Sequence, residues 1–392
     1  MSDPIVIVSA ARTPIGSMSG NFASMAAHEL GSVAIQAAVE RAGIQPDAVD
    51  EVLMGNVLQA GQGQAPARQA ALGAGLPKHV PCTTVHKVCG SGMKTAMMGF
   101  DMLKAGSANV VVAGGQESMT NAPYLLLKAR SGYRYGHDRI FDHMALDGLE
   151  DAYEHAPMGI FAEQCVEKYG FTREEQDEFA IESLRRAREA TEKGLFEWEI
   201  VPVTVKGRRG DTVVEIDETP TRANPERIPT LRPAFKKDGT VTAANASSIS
   251  DGAAALVLMR ESTAKELGAQ PIAQIVAHTQ HAHEPEWFTT APVGAIQKLL
   301  KKTGWTIDEV DLFEINEAFA CVTMAAMKDL NIPHDKVNIH GGATALGHPI
   351  GASGARIIAT LIGALRATNK KRGIASLCIG GGEAVAMAIE LV

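Results

Sequence analysis

The chain has 392 residues, 45% apolar and 21% charged, which is ordinary for a soluble globular protein and too long for one hydrophobic core, so two or three domains are expected. A formal net charge of −8 argues against a nucleic-acid binder, which needs a basic face, yet leaves room for a local basic pocket around an anionic ligand. Cys82, Cys89, Cys165, Cys321 and Cys378 are scattered and form no CxxC pair, which favours neither a disulfide framework nor a zinc site and suits a reducing compartment.

In chain order, IVIVSA near the N-terminus reads as a first buried strand, because no basic segment and long apolar run mark it as a signal peptide. No apolar run approaches the roughly 18 residues of a membrane span. The final residues, IELV, carry no peroxisomal address. The expectation is a cytoplasmic protein that does not enter a membrane.

The chain then repeats itself. VERAGIQPDAVDEVLMGNVLQA (39–60) is echoed by LKKTGWTIDEVDLFEINEAFA (300–320), which pairs Gly43 with Gly304 and Asp50 with Asp311. CGSGMKTAMMGFDMLKAGSANVVVAGG (89–115) is echoed in the same order by GASGARIIATLIGALRATNKKRGIASLCIGGG (351–382). Each half alternates helical and continuously apolar strand patterns, as in VVVAGG and ASLCIGG, which suits sheets buried on both faces. Residues 119–248 break the rhythm with charge, proline and aromatics, and read as an inserted loop domain. It contains a helix around 172–194 with a capping box from Thr172 and Glu175. ASSISDGAAALVLM (246–259) returns to apolar strand. The expected domains are 1–118 with 249–270, the insert 119–248, and 271–392.

Three glycine-framed stretches carry chemistry. Cys89, in VHKVCGSGMK, sits at a turn feeding a helix N-terminus, where unpaired N–H groups and the helix dipole favour a thiolate below the usual pKa of about 8.5 and can hold an oxyanion. The same features fit a buried structural cysteine beside a tight turn. His348, in GGATALGHPIGASGAR, can accept a thiol proton near neutrality, or serve as a structural or surface histidine. Cys378 ends an apolar strand before IGGGE, where α/β proteins place chemistry, although a small buried hydrophobe is the commoner role. Asn316 follows the strand DLFEI and either positions a water at a carbonyl or caps the next helix.

Together, VIVSAARTPIGS, GNVLQAGQGQ, VCGSGMK, NASSISDGAAA, NEAFA, GHPIGASGAR and CIGGG resemble the thiolase family along the whole chain, most closely its branch acting on acetyl-CoA and acetoacetyl-CoA. The resemblance implies an α/β thiolase fold: two similar halves with mixed sheets in a layered αβαβα core, plus the loop domain. It implies that Cys89 is acylated, that His348 activates it, and that Cys378 moves the α-proton. Asn316 (through a water) and His348 would hold one thioester oxygen, and the N–H groups of Cys89 and Gly380 the other. Met158, Phe235, Ala243, Ala246, Ser247, Phe288, Ala318 and Phe319 match the substrate and coenzyme A contacts. One or two of Lys206, Arg208, Arg209, Arg222, Arg227, Arg232, Lys236 and Lys237 could meet the 3′-phosphate.

The implied reaction joins two acetyl-CoA into acetoacetyl-CoA and CoA, reversibly. No metal and no permanently bound cofactor is implied, coenzyme A thioesters being substrates, and a homotetramer built through the loop domain is expected. A 3-ketoacyl-CoA thiolase of β-oxidation and a non-catalytic acyl-CoA or lipid-binding homologue are the alternatives. His86 stands where Asn is usual, Pro157 where His is frequent, Phe288 where Met is common, and GGGEAV replaces the usual GGGxG. Phe288 and Phe319 would cap the acyl pocket and favour short chains.

Overall fold

The computed structural model describes residues 3–392. The elements that position the site run in chain order: β1 (Ile5–Arg12), α1 (Ala27–Ala42), β2 (Glu51–Gly55), β3 (Cys82–Val85), α2 (Ser91–Ala105), β4 (Val110–Ser118), α3 (Met158–Tyr169), α4 (Arg173–Glu192), β5 (Ser250–Arg260), β6 (Ala273–Ala282), α5 (Ala291–Thr303), β7 (Leu312–Ile315), α6 (Ala320–Leu330), α7 (Ser353–Ala367), β8 (Arg372–Ile379) and β9 (Glu383–Leu391). The strands form one ten-stranded sheet, ordered β7-β8-β9-β6-β1-β5-β4-β2-β3, with the short strand Gly16–Ser17 beside β5.

The echoes in the sequence are a structural repeat. β1, β2, β4 and β5 correspond to β6, β7, β8 and β9, with parallel pairing of β2 with β4 and of β7 with β8 and antiparallel pairing among the rest of these eight, while the edge strand β3 lies parallel to β2. Gly43 and Gly304 both end helices in the left-handed conformation, at φ 67° and 75°, which glycine adopts without strain. Asp50 accepts the backbone N–H groups of Asn109 and Val110 at 2.7 and 3.0 Å, where β4 begins. Asp311 does the same for Lys371 and Arg372 at 3.0 and 2.8 Å, where β8 begins. The halves do not keep separate sheets. Ile5 and Ile7 of β1 pair antiparallel with Ile275 and Ala273 of β6 and close the two half-sheets into one.

α2 and α7 pack against each other in the centre, among apolar side chains from both half-sheets. α1 covers the outer face of the first half, and α5 with α6 that of the second. β1 is buried at every position, as its apolar run requires when both faces are covered. A register shift between Ile7 and Ser9 changes its phase. Ile5, Ile7 and Ala10 therefore face the centre, while Val6, Val8 and Ala11 face α1.

No strand of the main sheet comes from between β4 and β5. That stretch holds α3, α4 and two small hairpins, and α4 starts with the reciprocal Thr172–Glu175 capping box. Its anchor is Arg12, buried at the end of β1. The guanidinium donates to Glu199 at 2.6 Å and to both oxygens of Asp217 at 2.7 and 2.9 Å. These buried charges are paired with one another, so removing one would strand the others at a cost of about 3–5 kcal/mol.

Candidate active site

The site forms where the halves meet. Cys89 lies between β3 and α2, one residue before the Gly90 cap, so its sulfur stands at the start of a helix as its glycine frame suggests. Val57, Leu58, Met119, Met144 and Ile350 pack around it. The expected lowering of its pKa does not occur. Although the residue stays partly accessible, desolvation pushes the thiol up to about 11, outweighing the N–H groups of Gly380 and of Cys89 itself, which pull it down. Cys378, buried at the end of β8, is pushed well above the ordinary thiol value by burial, and the proximity of Cys89 adds to it. Both thiols are therefore protonated in the resting site.

His348 is buried, and its pKa falls to about 3 through desolvation and the nearby Arg356. It is thus neutral across the physiological range instead of titrating near neutrality. Its Nδ1 lies 2.5 Å from Ser353 Oγ, at the first turn of α7. The Ser353 hydroxyl donates to Pro349 O at 3.0 Å, so Nδ1–H donates to Ser353 and Nε2 keeps its lone pair. Nε2 has no protein partner. A base with a fixed tautomer and an open lone pair results. Ser353 escapes sequence reasoning because a serine in GASGAR looks like an ordinary helix-start residue. Gly347, at φ 109°, is required here, since a side chain would meet Ser250.

A buried carboxylate holds this loop against the first half. Glu117 accepts from Asn56 Nδ2 (2.7 Å), Val57 N (3.0 Å), Leu58 N (3.1 Å) and Gly351 N (2.8 Å), and burial raises its pKa to about 7. Nothing in the local sequence marks Glu117, because its partners come from distant segments.

Asn316 follows β7 but does not cap α6, whose cap position is Phe319. Its side-chain amide is buried with neither atom bonded to protein, the condition of a group that serves a water or ligand. Gly380 follows β8, and a Cβ placed on it would lie 3.4 Å from the Met158 sulfur and 3.8 Å from Val88.

Met158, Phe235, Ala246, Phe288, Ala318 and Phe319 share one apolar cluster with Cys378. Phe319 lies 6.4 Å from the Phe288 ring and 6.1 Å from Phe235, edge to face in both pairs. Ser247 joins this group through its N–H, which donates to Ala318 O at 3.0 Å. Ala243 stands apart, exposed in a groove of about 360 Å³ lined also by Arg222, Arg227, Leu231 and Ser248. The groove reaches the His348 loop, since Ser248 O accepts the His348 N–H at 3.2 Å.

Paired α/β halves that present two thiols and a neutral histidine at their junction define an acyl-transfer class of protein. Residues 5–262 match the thiolase N-terminal domain and residues 269–391 the thiolase C-terminal domain, and the chain belongs to the thiolase family. It is 52% identical over 391 residues to acetyl-CoA acetyltransferase 2 of Arabidopsis thaliana, covering 99% of this chain and 97% of that one. The structure of Bacillus anthracis acetyl-CoA acetyltransferase superposes with a TM-score of 0.97 at 44% identity, covering 100% of this chain and 99% of that one. Acat5 thiolase from Ascaris suum, in complex with coenzyme A, gives 0.94 at 43% identity, with coverage of 99% and 100%.

Proposed function

We propose that the protein is an acetyl-CoA C-acetyltransferase that condenses two acetyl-CoA to acetoacetyl-CoA and CoA, and runs the reverse. The observation that carries this is the proximity of Cys89 to Cys378, which shares an apolar cluster with Phe288 and Phe319, and His348, with its open Nε2, supplies the base. Cys89 attacks the first thioester while His348 Nε2 takes its proton, and Cys378 gives its proton to the departing CoA sulfur. This leaves an imidazolium and a Cys378 thiolate formed as a pair. The thiolate then takes the α-proton of the second acetyl-CoA, whose carbanion attacks acetyl-Cys89. Cys89 leaves and recovers its proton from His348.

The N–H groups of Cys89 and Gly380 hold one oxyanion, as their orientation toward the sulfur supports. Asn316, through a water, and His348 hold the other. Ala243 guides the coenzyme A arm in the groove, where Arg227 offers positive charge beside the Arg222–Glu218 pair, and Ala246 and Ser247 meet it nearer Cys378. Residues 119–248 form the coenzyme A-binding and oligomer-contact domain of a homotetramer, and the exposed Tyr124, Leu126, Leu127, Tyr135 and Ile140 give it an apolar surface to bury. Five free cysteines support a cytoplasmic location, and no described helix is long and apolar enough to cross a membrane.

CoA-dependent thiolysis of acetoacetyl-CoA beside 3-ketooctanoyl-CoA, with Cys89→Ala as control, tests the reading. Strong preference for the four-carbon substrate is expected. Equal or better use of the eight-carbon chain would make the protein a β-oxidation thiolase, and no Cys89-dependent turnover would make it a non-catalytic acyl-CoA binder.

A further inference from the structure

His86 belongs to none of the groups above, yet it grips the loop that carries Cys89. Val88, the residue before the nucleophile, has φ 43°. A β-branched residue in the left-handed region is strained and persists only where its surroundings hold it. Its neighbours do so. The Lys87 N–H donates to Ser91 Oγ at 2.8 Å, and that hydroxyl donates to Val88 O at 2.6 Å. The Val88 N–H itself donates to His86 Nδ1 at 3.3 Å. Only an unprotonated Nδ1 can accept that bond.

We propose that His86 is a positioning residue whose neutral Nδ1 holds the strained Val88 backbone in the conformation that presents Cys89, so that acylation fails in mild acid when His86 takes a proton. The inference rests on the reading of Cys89 as the acylated nucleophile.

The charged groups facing His86 are few. His143 and Asp147 approach from the turn after the short strand Phe141–Asp142, Asp147 favouring a proton on His86 and His143 opposing it. Those two are engaged with each other, His143 Nδ1 lying 2.6 Å from Asp147, and the His143 Nε2 accepts the Ala60 N–H at 3.3 Å. Lys87, on the loop itself, is turned to Glu383. Partial desolvation of the His86 ring lowers its pKa from the ordinary histidine value, which makes it an acceptor at neutral pH. His348, depressed to about 3, does not titrate in the same window.

An asparagine at position 86 can place its side-chain oxygen on the same N–H but cannot be protonated there. The test is the burst of CoA released from acetyl-CoA as Cys89 is acetylated, followed from about pH 5 to pH 8 in the unmodified protein, His86→Asn and His86→Phe. Plotting the ratio of the unmodified rate to that of His86→Asn cancels the ionisation of Cys89 itself. We expect a level ratio above the ordinary histidine pKa of about 6.5 and a fall of about tenfold below it. His86→Phe, which keeps a ring without the acceptor, should be slower by about tenfold at every pH, and His86→Asn should rescue it. A ratio that stays flat into acid, or a phenylalanine variant as fast as the asparagine one, overturns the proposal. Absence of any burst in the unmodified protein would instead remove the reading of Cys89 beneath it.

Discussion

Lys87, two residues before Cys89, is ion-paired with Glu383, the first residue of β9. The pair ties the nucleophile loop of the first half to the glycine loop that follows Cys378 in the second. The sequence difference that puts Glu after GGG is thus a link between the two thiols' supports. The side chains are 19% and 37% exposed, so the pair contributes under ~1 kcal/mol to stability and acts mainly on geometry. Glu383→Ala should lower kcat by about threefold to tenfold with a small change in melting temperature. A double-mutant cycle with Lys87→Met, read in kcat, checks it, and fully additive effects would mean that the link has no catalytic consequence.

Ser353 fixes the tautomer of His348. Ser353→Ala leaves Nδ1–H without its acceptor and lets the ring turn or change tautomer. We expect kcat to fall by about tenfold to a hundredfold with KM for acetyl-CoA little altered, and Ser353→Thr to recover much of the loss. Steady-state kinetics of the two variants decide between an orienting hydroxyl and a merely space-filling one.

In the proposed reaction Phe288 limits the acyl chain, being 3% exposed and clustered with Phe319 and Cys378. Phe288→Ala should raise use of 3-ketooctanoyl-CoA relative to acetoacetyl-CoA by about tenfold. It should also destabilise the protein by roughly 3–5 kcal/mol, so the comparison is made as a ratio of kcat/KM values on the same preparation. An unchanged ratio would place the chain-length limit elsewhere.

Buried groups also set the pH dependence of stability, with opposite signs. His348 and His340, lowered to about 3 and about 4, contribute stability that is present above the unfolded value of about 6.5 and is lost as pH falls through their folded values. Glu117 and Glu314, raised to about 7 and about 8, contribute stability that is present below about 4.3 and is lost as pH rises through their folded values. The two trends oppose each other between about pH 4.5 and pH 6.5, leaving a plateau with a decline on either side. Melting temperatures from about pH 3 to about pH 8 check this, and His340→Gln, away from the thiols, should soften the acid decline. A steady rise through neutrality would contradict it.

Much of the architecture could be read from the chain because the repeat is carried by local signals. Gly43 with Gly304 and Asp50 with Asp311 do the same job in each half, and their spacing survives in one dimension. The joining of the half-sheets through Ile5 and Ile275 could not be read so, since it depends on two strand edges far apart in sequence. The same division holds at the site. The positions of Cys89, His348 and Cys378 follow from their glycine frames. The direction of the Cys89 shift does not, because it is set by Val57, Leu58, Met119, Met144 and Ile350 closing around a sulfur that the helix start alone would acidify. Arg12 likewise gave no sign that its partners are Glu199 and Asp217.

The most direct test of the two-thiol account is a single turnover of isotopically labelled acetyl-CoA on Cys378→Ser, with the acetyl group located by mass spectrometry and acetoacetyl-CoA measured in the same sample. The account expects label to accumulate on Cys89 at a modestly reduced rate, since a departing thiolate needs an acid far less than an α-carbon needs a base, while condensation falls by about a thousandfold or more. Equal loss of both steps, or label on another residue, would contradict the division of labour between Cys89 and Cys378.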